Sequence, residues 1–278
     1  FKHYKNDRKV AIFGSARTKP DNPNYALAET TARLLAKDGL FVITGAGPGI
    51  MEAGNKGAGK KHSFGLHIIL PFEQEPNAFI ASSKHMIPYN YFFTRKLAFV
   101  KESDAIVLFP GGFGTHDEGF EVLTLIQTGR CAPRPFIVIN HDKSSYWEHW
   151  KEYVNQQLRD REYISPEDID LIQELNTPEE VCAEIQRFYY AFHSIKYYNK
   201  VACIRLNVSL PSKTLSEINK WFSHLLKSGE YIVTDNQCFD EEKTKYPEKP
   251  RLVFDFNHSS YGGLTQLIRF INNHTYHK

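Results

Sequence analysis

The segment PGGFGTHDEGFE, residues 110–121, joins two groups of residues that favour opposite charges. Its glycines and Thr115 suit an anion, because backbone N–H groups of a glycine turn before a helix can bind phosphate. The acids Asp117, Glu118 and Glu121 follow within a few residues. Carboxylates repel an anion, but they can stabilise a cation or transfer a proton. A ligand with a phosphate at one end and a developing positive charge at the other would need both groups.

Two more glycine turns follow apolar runs earlier in the chain: KVAIF precedes the first turn, and FVIT precedes the second, GAGPGIM. Ligands of an open parallel sheet bind outside the carboxyl ends of its strands, so three such turns should converge on one crevice. The spacing is not GxGxxG and no acid ends the second strand, which disfavours NAD. Each turn alone is also typical of a tight turn without a ligand. The residues of these two turns that we assign to ligand binding are Gly14, Ser15, Gly45, Gly47, Gly49 and Met51.

The counter-charges for the acids are Arg95 and Lys96, on a predicted helix over residues 89–101. An arginine on such a phenylalanine-rich helix commonly extends its charge into solvent. Thr115 and Glu118 have an alternative role too, because T-x-x-E is the pattern of a capping box at a helix start. Acids are also common in any first helical turn, which could explain Asp117 and Glu121.

Composition excludes several classes of protein. The 278 residues carry a formal net charge of only +2, and we therefore expect no nucleic-acid partner. No apolar run approaches the roughly 20 residues that span a bilayer, so we expect no membrane partner. The four cysteines lie far apart and the acids lack a recognised ligand spacing, so we expect reduced thiols and no metal. Without a signal-peptide pattern at its start, the chain is expected to be cytoplasmic.

Apolar strands alternate with amphipathic helices along the first part of the chain. This pattern predicts an α/β fold, a Rossmann-like doubly wound parallel sheet, over residues 1–195. Helices are expected over 24–37 and 118–127 and at the starts Ser165-Pro166 and Thr177-Pro178, and an irregular loop over LPFEQEPN. Residues 196–278 predict a small C-terminal α+β domain of βαββα order, with helices over 215–229 and 263–274 and the boundary near residues 195–199. This small domain could bind an effector or extend an oligomer interface.

PGGFGTHDE, together with the Arg95-Lys96 pair, resembles the PGGxGTxxE and RK motifs of the LONELY GUY (LOG) phosphoribohydrolases. The resemblance covers residues 9–150, and the GAGPGIMEAGNKGA turn is similar to that of the longer bacterial branch, which is often labelled lysine decarboxylase. It implies a Rossmann-like homodimer, or a higher homo-oligomer, that cleaves the N-glycosidic bond of nucleoside 5′-monophosphates. The products are a free base and ribose 5-phosphate, and no cofactor is implied.

The resemblance also implies roles for single residues. Arg95 and Glu118 would be the catalytic pair. The residues expected to line the nucleotide are Lys96, Gly111, Gly112, Gly114, Thr115, Glu121 and Thr124. Glycine N–H groups would hold the phosphate, while Glu118 would stabilise a ribose that becomes cationic as the base leaves. Arg95 could fix the phosphate or polarise the base. The alternative function is a non-catalytic nucleotide sensor or carrier; a pyridoxal-phosphate decarboxylase is disfavoured because no convincing cofactor site is visible.

Overall fold

The computed structural model describes residues 1–69, 75–141, 144–199, 201–234 and 246–276. The chain forms two compact units. The first comprises Phe1–Thr124, Arg134–Tyr163 and Ile172–Ala183. The second comprises Leu125–Pro133, Ile164–Leu171 and Glu184–Lys278. A single boundary at residue 195 stays a prediction.

The first unit is built on a parallel sheet, which among the described residues has seven strands. The strands are β1 Lys9–Phe13, β2 Phe41–Thr44, β3 Ser63–Ile68, β4 Met86–Tyr89, β5 Ala105–Leu108, β6 Phe136–Ile139 and β7 Ile172–Leu175. Their order is β4-β3-β2-β1-β5-β6-β7, so the chain runs outward from β1 in one direction and then in the other. Strands β1, β2, β5 and β6 are buried along their whole length. The predicted Rossmann-like fold is confirmed.

Helices connect these strands, as parallel neighbours require. They are α1 Pro23–Lys37, α2 Ile50–Ala58, α3 Phe92–Glu102, α4 Phe113–Gln127 and α5 Tyr146–Tyr153. Helix α6, Pro178–Ala191, follows β7, the last strand of this sheet. Helix α1 begins where Asn22 accepts a hydrogen bond from the Asn24 N–H and Pro23 takes the first helical position. It ends before Gly39, whose φ of 82° a glycine adopts without penalty. Local sequence therefore determines both ends of α1.

Several elements differ from the sequence prediction. Helix α4 begins at Phe113, five residues before the expected start. The Ser165-Pro166 start leads only into a short 3₁₀ segment, Pro166–Leu171, followed by the unpredicted strand β7. The Thr177-Pro178 start is confirmed by α6: the Thr177 hydroxyl accepts from the Glu180 N–H at 3.2 Å, and the Glu180 carboxylate accepts from the Thr177 N–H at 3.1 Å. The loop LPFEQEPN lies partly outside the described residues.

The second unit contains an antiparallel sheet. Its strands are β8 Phe192–Tyr198, β9 Val201–Leu206, β10 Leu226–Thr234 and β11 Arg251–Phe256, in the order β10-β11-β9-β8. Its helices include α7 Ser212–Trp221 and α8 Tyr261–Thr275. A small α+β domain is confirmed, but β8 precedes the predicted βαββα series and occupies residues where the boundary was expected. Residues 226–229, expected to end a helix, begin β10 instead.

No helix in the described ranges is both long enough and apolar enough to cross a membrane.

Candidate active site

The three glycine turns meet at Ser15 in the first unit. The Ser15 N–H donates to the Pro110 carbonyl at 3.0 Å, and the Ile50 N–H donates to the Ser15 carbonyl at 3.1 Å. A Cβ atom placed on Gly49 would lie 2.3 Å from the Ser15 carbonyl oxygen, and one on Gly111 would lie 2.9 Å from the Ser15 nitrogen. Only residues without a side chain permit this approach, so the structure brings together the turns that follow β1, β2 and β5.

The turns line one pocket of about 880 Å³, within the usual range for a small-molecule site. Most of the residues assigned from the sequence line it. They are Gly14, Ser15, Gly45, Gly47, Met51, Arg95, Gly111, Gly112, Gly114, Thr115 and Glu118.

Four assigned residues lie outside the pocket wall. Gly49 precedes α2 with a φ of 68°, and its missing side chain makes room for Ser15. Lys96 and Glu121 do not line the pocket, but Lys96 forms ion pairs with both Glu118 and Glu121. Thr124 lies on an exposed part of α4, two helical turns beyond the pocket. The structure does not bring Thr124 to the site.

The sequence did not assign the other lining residues to the ligand; they are Phe13, Ala16, Arg17, Pro48, His67, Ile68, Phe92, Phe99, Phe113, His116 and Asp117. The most relevant for an anionic ligand is Arg17, an exposed cation whose N–H donates to the Ser15 hydroxyl at 3.1 Å. Because Arg17 lies two residues after Ser15, it could have been assigned to the ligand from the sequence. The aromatic side chains gave no such signal, because phenylalanines at these positions are equally typical of a core.

Glu118 is buried, with 6% of its surface exposed, and lies next to Lys96. The Lys96 Nζ is 3.1 Å from the Glu118 Oε1, 2.7 Å from the Asp117 Oδ2 and 3.2 Å from the Glu121 Oε2. An ammonium group therefore occupies the centre of the acidic cluster. Among the residues that the structure describes, no group of acids, histidines and cysteines is arranged to hold a metal.

Thr115 and Glu118 do not form a capping box in the structure. Helix α4 starts at Phe113, and the Thr115 N–H donates to the Gly112 carbonyl at 3.0 Å. Thr115 is therefore inside the helix. A Cβ atom on Gly111 would lie 2.1 Å from the Thr115 Oγ1, so this side chain packs against the third turn.

Burial and neighbouring charges act on Glu118 in opposite directions. Burial raises the pKa of its carboxyl and Glu121 adds to this, while Lys96 and Arg95 oppose it; the net pKa lies above that of an ordinary glutamate. Burial alone would lower the pKa of Lys96, but Asp117, Glu118 and Glu121 outweigh it and raise that pKa. Lys96 thus stays charged, and Glu118 is suited to gain or lose a proton during a reaction.

Arg95 points into the pocket instead of reaching away into solvent. Its guanidinium carbon lies 5.2 Å from the centre of the Phe92 ring and 6.0 Å from that of Phe99. Its Nη1 would be 3.8 Å from a Cβ atom on Gly45. The aromatic rings of α3 therefore hold this charge towards the second glycine turn.

A tyrosine on α5 fixes the third turn. The Tyr146 hydroxyl donates to the Gly111 carbonyl at 2.5 Å and lies 2.6 Å from the His116 Nε2. Because the hydroxyl has one proton, His116 is the donor in the second bond, and burial lowers the pKa of this histidine, which favours its neutral form. The carbonyl and the N–H of one peptide point in opposite directions, so these bonds also orient the Gly112 N–H.

Comparison with known proteins identifies relatives of this chain. Residues 49–185 match the family described as "Possible lysine decarboxylase". A probable cytokinin riboside 5′-monophosphate phosphoribohydrolase of Oryza sativa subsp. japonica is 25% identical over 186 residues, 65% of this chain and 71% of that protein. These matches support membership of the chain in the LOG family. A cytokinin riboside 5′-monophosphate phosphoribohydrolase of Arabidopsis thaliana is 24% identical over 185 residues, 65% of this chain and 83% of that LOG protein.

Solved structures resemble the fold of this chain more distantly. The molybdenum cofactor carrier protein of Chlamydomonas reinhardtii matches with a TM-score of 0.46 and 14% identity, over 65% of this chain and 97% of that one. A molybdenum cofactor binding protein from Rippkaea orientalis matches with a TM-score of 0.46 and 19% identity, over 65% and 96%. Similarity at this level does not indicate a function.

Proposed function

We propose that this chain hydrolyses the N-glycosidic bond of nucleoside 5′-monophosphates, releasing a free base and ribose 5-phosphate. The observation that carries the proposal is one pocket that contains both the three glycine turns and the buried Glu118, with Arg95 beside them. Phosphoribohydrolase activity is also the activity in the names of the plant relatives.

The glycine turns bind the anionic end of the proposed substrate, its phosphate. The N-terminus of α4 follows Gly111 and Gly112, and unpaired N–H groups at a helix start favour a phosphate. Arg17 at the edge of the pocket supplies a positive charge to the same ligand group. Phosphate binding remote from the reacting bond can lower the barrier as well as improve affinity.

Glu118 acts at the sugar. Cleavage of an N-glycosidic bond passes through a ribose with oxocarbenium character, which a nearby carboxylate stabilises. The same carboxylate can orient a water molecule and accept its proton as that water attacks the anomeric carbon. Lys96 holds the carboxylate in place, and Arg95 either fixes the phosphate or polarises the departing base.

The test is to incubate the protein with purine and pyrimidine nucleoside monophosphates and measure ribose 5-phosphate. Glu118→Gln is expected to lower kcat by about 10² to 10⁴ while binding is kept, because one acid–base group typically contributes that much. The control is Glu29→Gln, on the surface of α1, which should leave kcat unchanged. Nucleosides without the 5′-phosphate should lose turnover as well as affinity.

Two results would contradict the proposal. Equal kcat for a nucleoside and its monophosphate would show that the phosphate does not contribute to catalysis. Tight nucleotide binding without ribose 5-phosphate from any substrate would instead support the alternative, a nucleotide sensor or carrier.

The remaining expectations concern partners and location. We propose a homodimer or higher homo-oligomer, supported by four apolar side chains that helix α3 and its preceding residue leave exposed: Tyr91, Phe92, Phe93 and Leu97. A cytoplasmic location and the absence of a nucleic-acid partner stay predictions.

A further inference from the structure

The second glycine turn contains a residue in an unfavourable backbone conformation. Ala46, between Gly45 and Gly47, has a φ of 64°. This left-handed region is open to glycine, but it is unfavourable for alanine because the Cβ atom crowds the backbone. A residue keeps such a conformation only where its surroundings impose it, and such residues cluster at ligand sites.

Asn77 makes several hydrogen bonds to this turn. Its Nδ2 donates to the Ala46 carbonyl at 3.1 Å and to the Gly47 carbonyl at 2.9 Å. The Asn77 backbone N–H donates to the Ala46 carbonyl as well, at 2.8 Å. Asn77 is only 7% exposed, so these bonds are shielded from competing water.

Two buried side chains complete the network. The Asn55 Oδ1 accepts from the Asn77 Nδ2 at 3.0 Å and from the Thr44 hydroxyl at 2.8 Å. The Thr44 hydroxyl in turn accepts from the Ala46 N–H at 3.1 Å. Both polar groups of the Ala46 backbone are therefore bonded to the network that includes Asn77.

The turn shapes the pocket directly. Gly45 and Gly47 line it, and a Cβ atom on either would lie within 3 Å of the Met51 side chain. Gly45 is also the residue that faces the Arg95 guanidinium. A change in the peptide orientation at Ala46 would move both glycines relative to Arg95 and Met51.

We propose that Asn77 is a positioning residue, which holds the Ala46 turn in the shape that the ligand requires. It does not line the pocket, and it acts through the Gly45 and Gly47 backbone. The choice of a nucleotide as the ligand rests on the function proposed above, whereas the effect on the turn does not.

The first test measures the turn without a ligand. In Asn77→Ala, amide hydrogen exchange of residues 44–49 should become at least about tenfold faster, because the turn loses the side-chain hydrogen bonds to the Ala46 and Gly47 carbonyls. The control is Asn219→Ala in the second unit, which loses hydrogen bonds to Leu215 and Tyr231. This control should leave exchange of residues 44–49 unchanged. Unchanged exchange in Asn77→Ala would overturn the proposal even if the protein binds no nucleotide.

The second test uses a compensating substitution. Asn77→Ala should weaken binding of a nucleoside monophosphate about tenfold in calorimetry, and adding Ala46→Gly should recover most of that loss. Glycine adopts a positive φ without the cost that alanine has, so the turn no longer needs Asn77 to impose it. Asn219→Ala should reduce only the melting temperature. A double variant that binds no better than Asn77→Ala would overturn the proposal.

Discussion

At the scale of single residues, the proposed chemistry depends on how Glu118 is charged. Its carboxyl is buried, which favours the neutral form, yet Lys96 lies 3.1 Å away and favours the ionised form. The proposed reaction uses the carboxylate, so activity should be lost as the pH falls through the Glu118 pKa. Because that pKa is raised, the loss should occur at a higher pH than an ordinary glutamate would give.

Lys96→Met tests this balance. Removing a positive charge raises the pKa of Glu118 further, so the acid limb of the kcat/KM profile should move to higher pH, by about 1 to 3 units. Lys56→Met is the matched control, since it removes an exposed ion pair with Glu29 at 2.9 Å and should leave the profile unchanged. An acid limb that stays in place in Lys96→Met would show that Lys96 does not set the charge of Glu118.

The sequence predicted the central residues of the site and missed much of its wall. Three glycine turns after three strands indicated the crevice, because strand order determines where their ends meet. Thr124 was assigned by resemblance alone, and the helix carries it to an exposed position. His67 was missed because its approach to the pocket depends on the path of β3, whereas Arg17, two residues after Ser15, could have been assigned from the sequence.

At the scale of elements, α1 and α2 pack closely through Gly57. A Cβ atom at this position would lie 2.0 Å from the Glu29 carbonyl oxygen, a backbone atom that cannot rotate away. Gly57→Ala should therefore lower the free energy of unfolding by about 1 to 3 kcal/mol in urea denaturation, although alanine is the better helix former.

Gly114→Ala is the control for that substitution. Gly114 is also helical, in α4, and no atom lies within 4 Å of its Cβ position. Its free energy of unfolding should stay the same or rise by about 0.5 to 1 kcal/mol. Equal stability of the Gly57→Ala and Gly114→Ala variants would mean that α1 and α2 can separate without cost.

The elements that sequence failed to predict are mainly sheet edges. Strands β4, β7 and β8 each lie at an edge, and β4 and β7 have no buried residue. Short, half-buried strands lack a continuous apolar run. Such a run allowed the sequence to predict β1, β2, β5 and β6. Pro88 further hid β4, because proline is compatible only with an edge or the end of a strand.

At the scale of the whole molecule, neither compact unit is a single continuous stretch of the chain. The second unit takes Leu125–Pro133 and Ile164–Leu171 from within the span of the parallel sheet. A glycine permits close packing of one of these segments within the second unit: a Cβ atom on Gly262 would lie 2.5 Å from the Glu167 carbonyl oxygen. Segments far apart in sequence therefore belong to one compact unit, and its buried core includes Phe188 and Leu267.

The exposed apolar residues of helix α3 provide a test of whether the protein forms an oligomer. Phe93 and Leu97 are 69% and 64% exposed, on the helix that also carries Arg95. Exposed apolar groups of this kind commonly mark a protein interface. In light scattering, the wild type should have the mass of a dimer or a higher oligomer, and Phe93→Glu/Leu97→Glu should have a lower mass, since association would bury two unpaired charges per chain. Trp221→Glu, at a 61% exposed position of the second unit, should keep the wild-type mass. A monomeric wild type, or a double variant that keeps its mass, would exclude α3 as the interface.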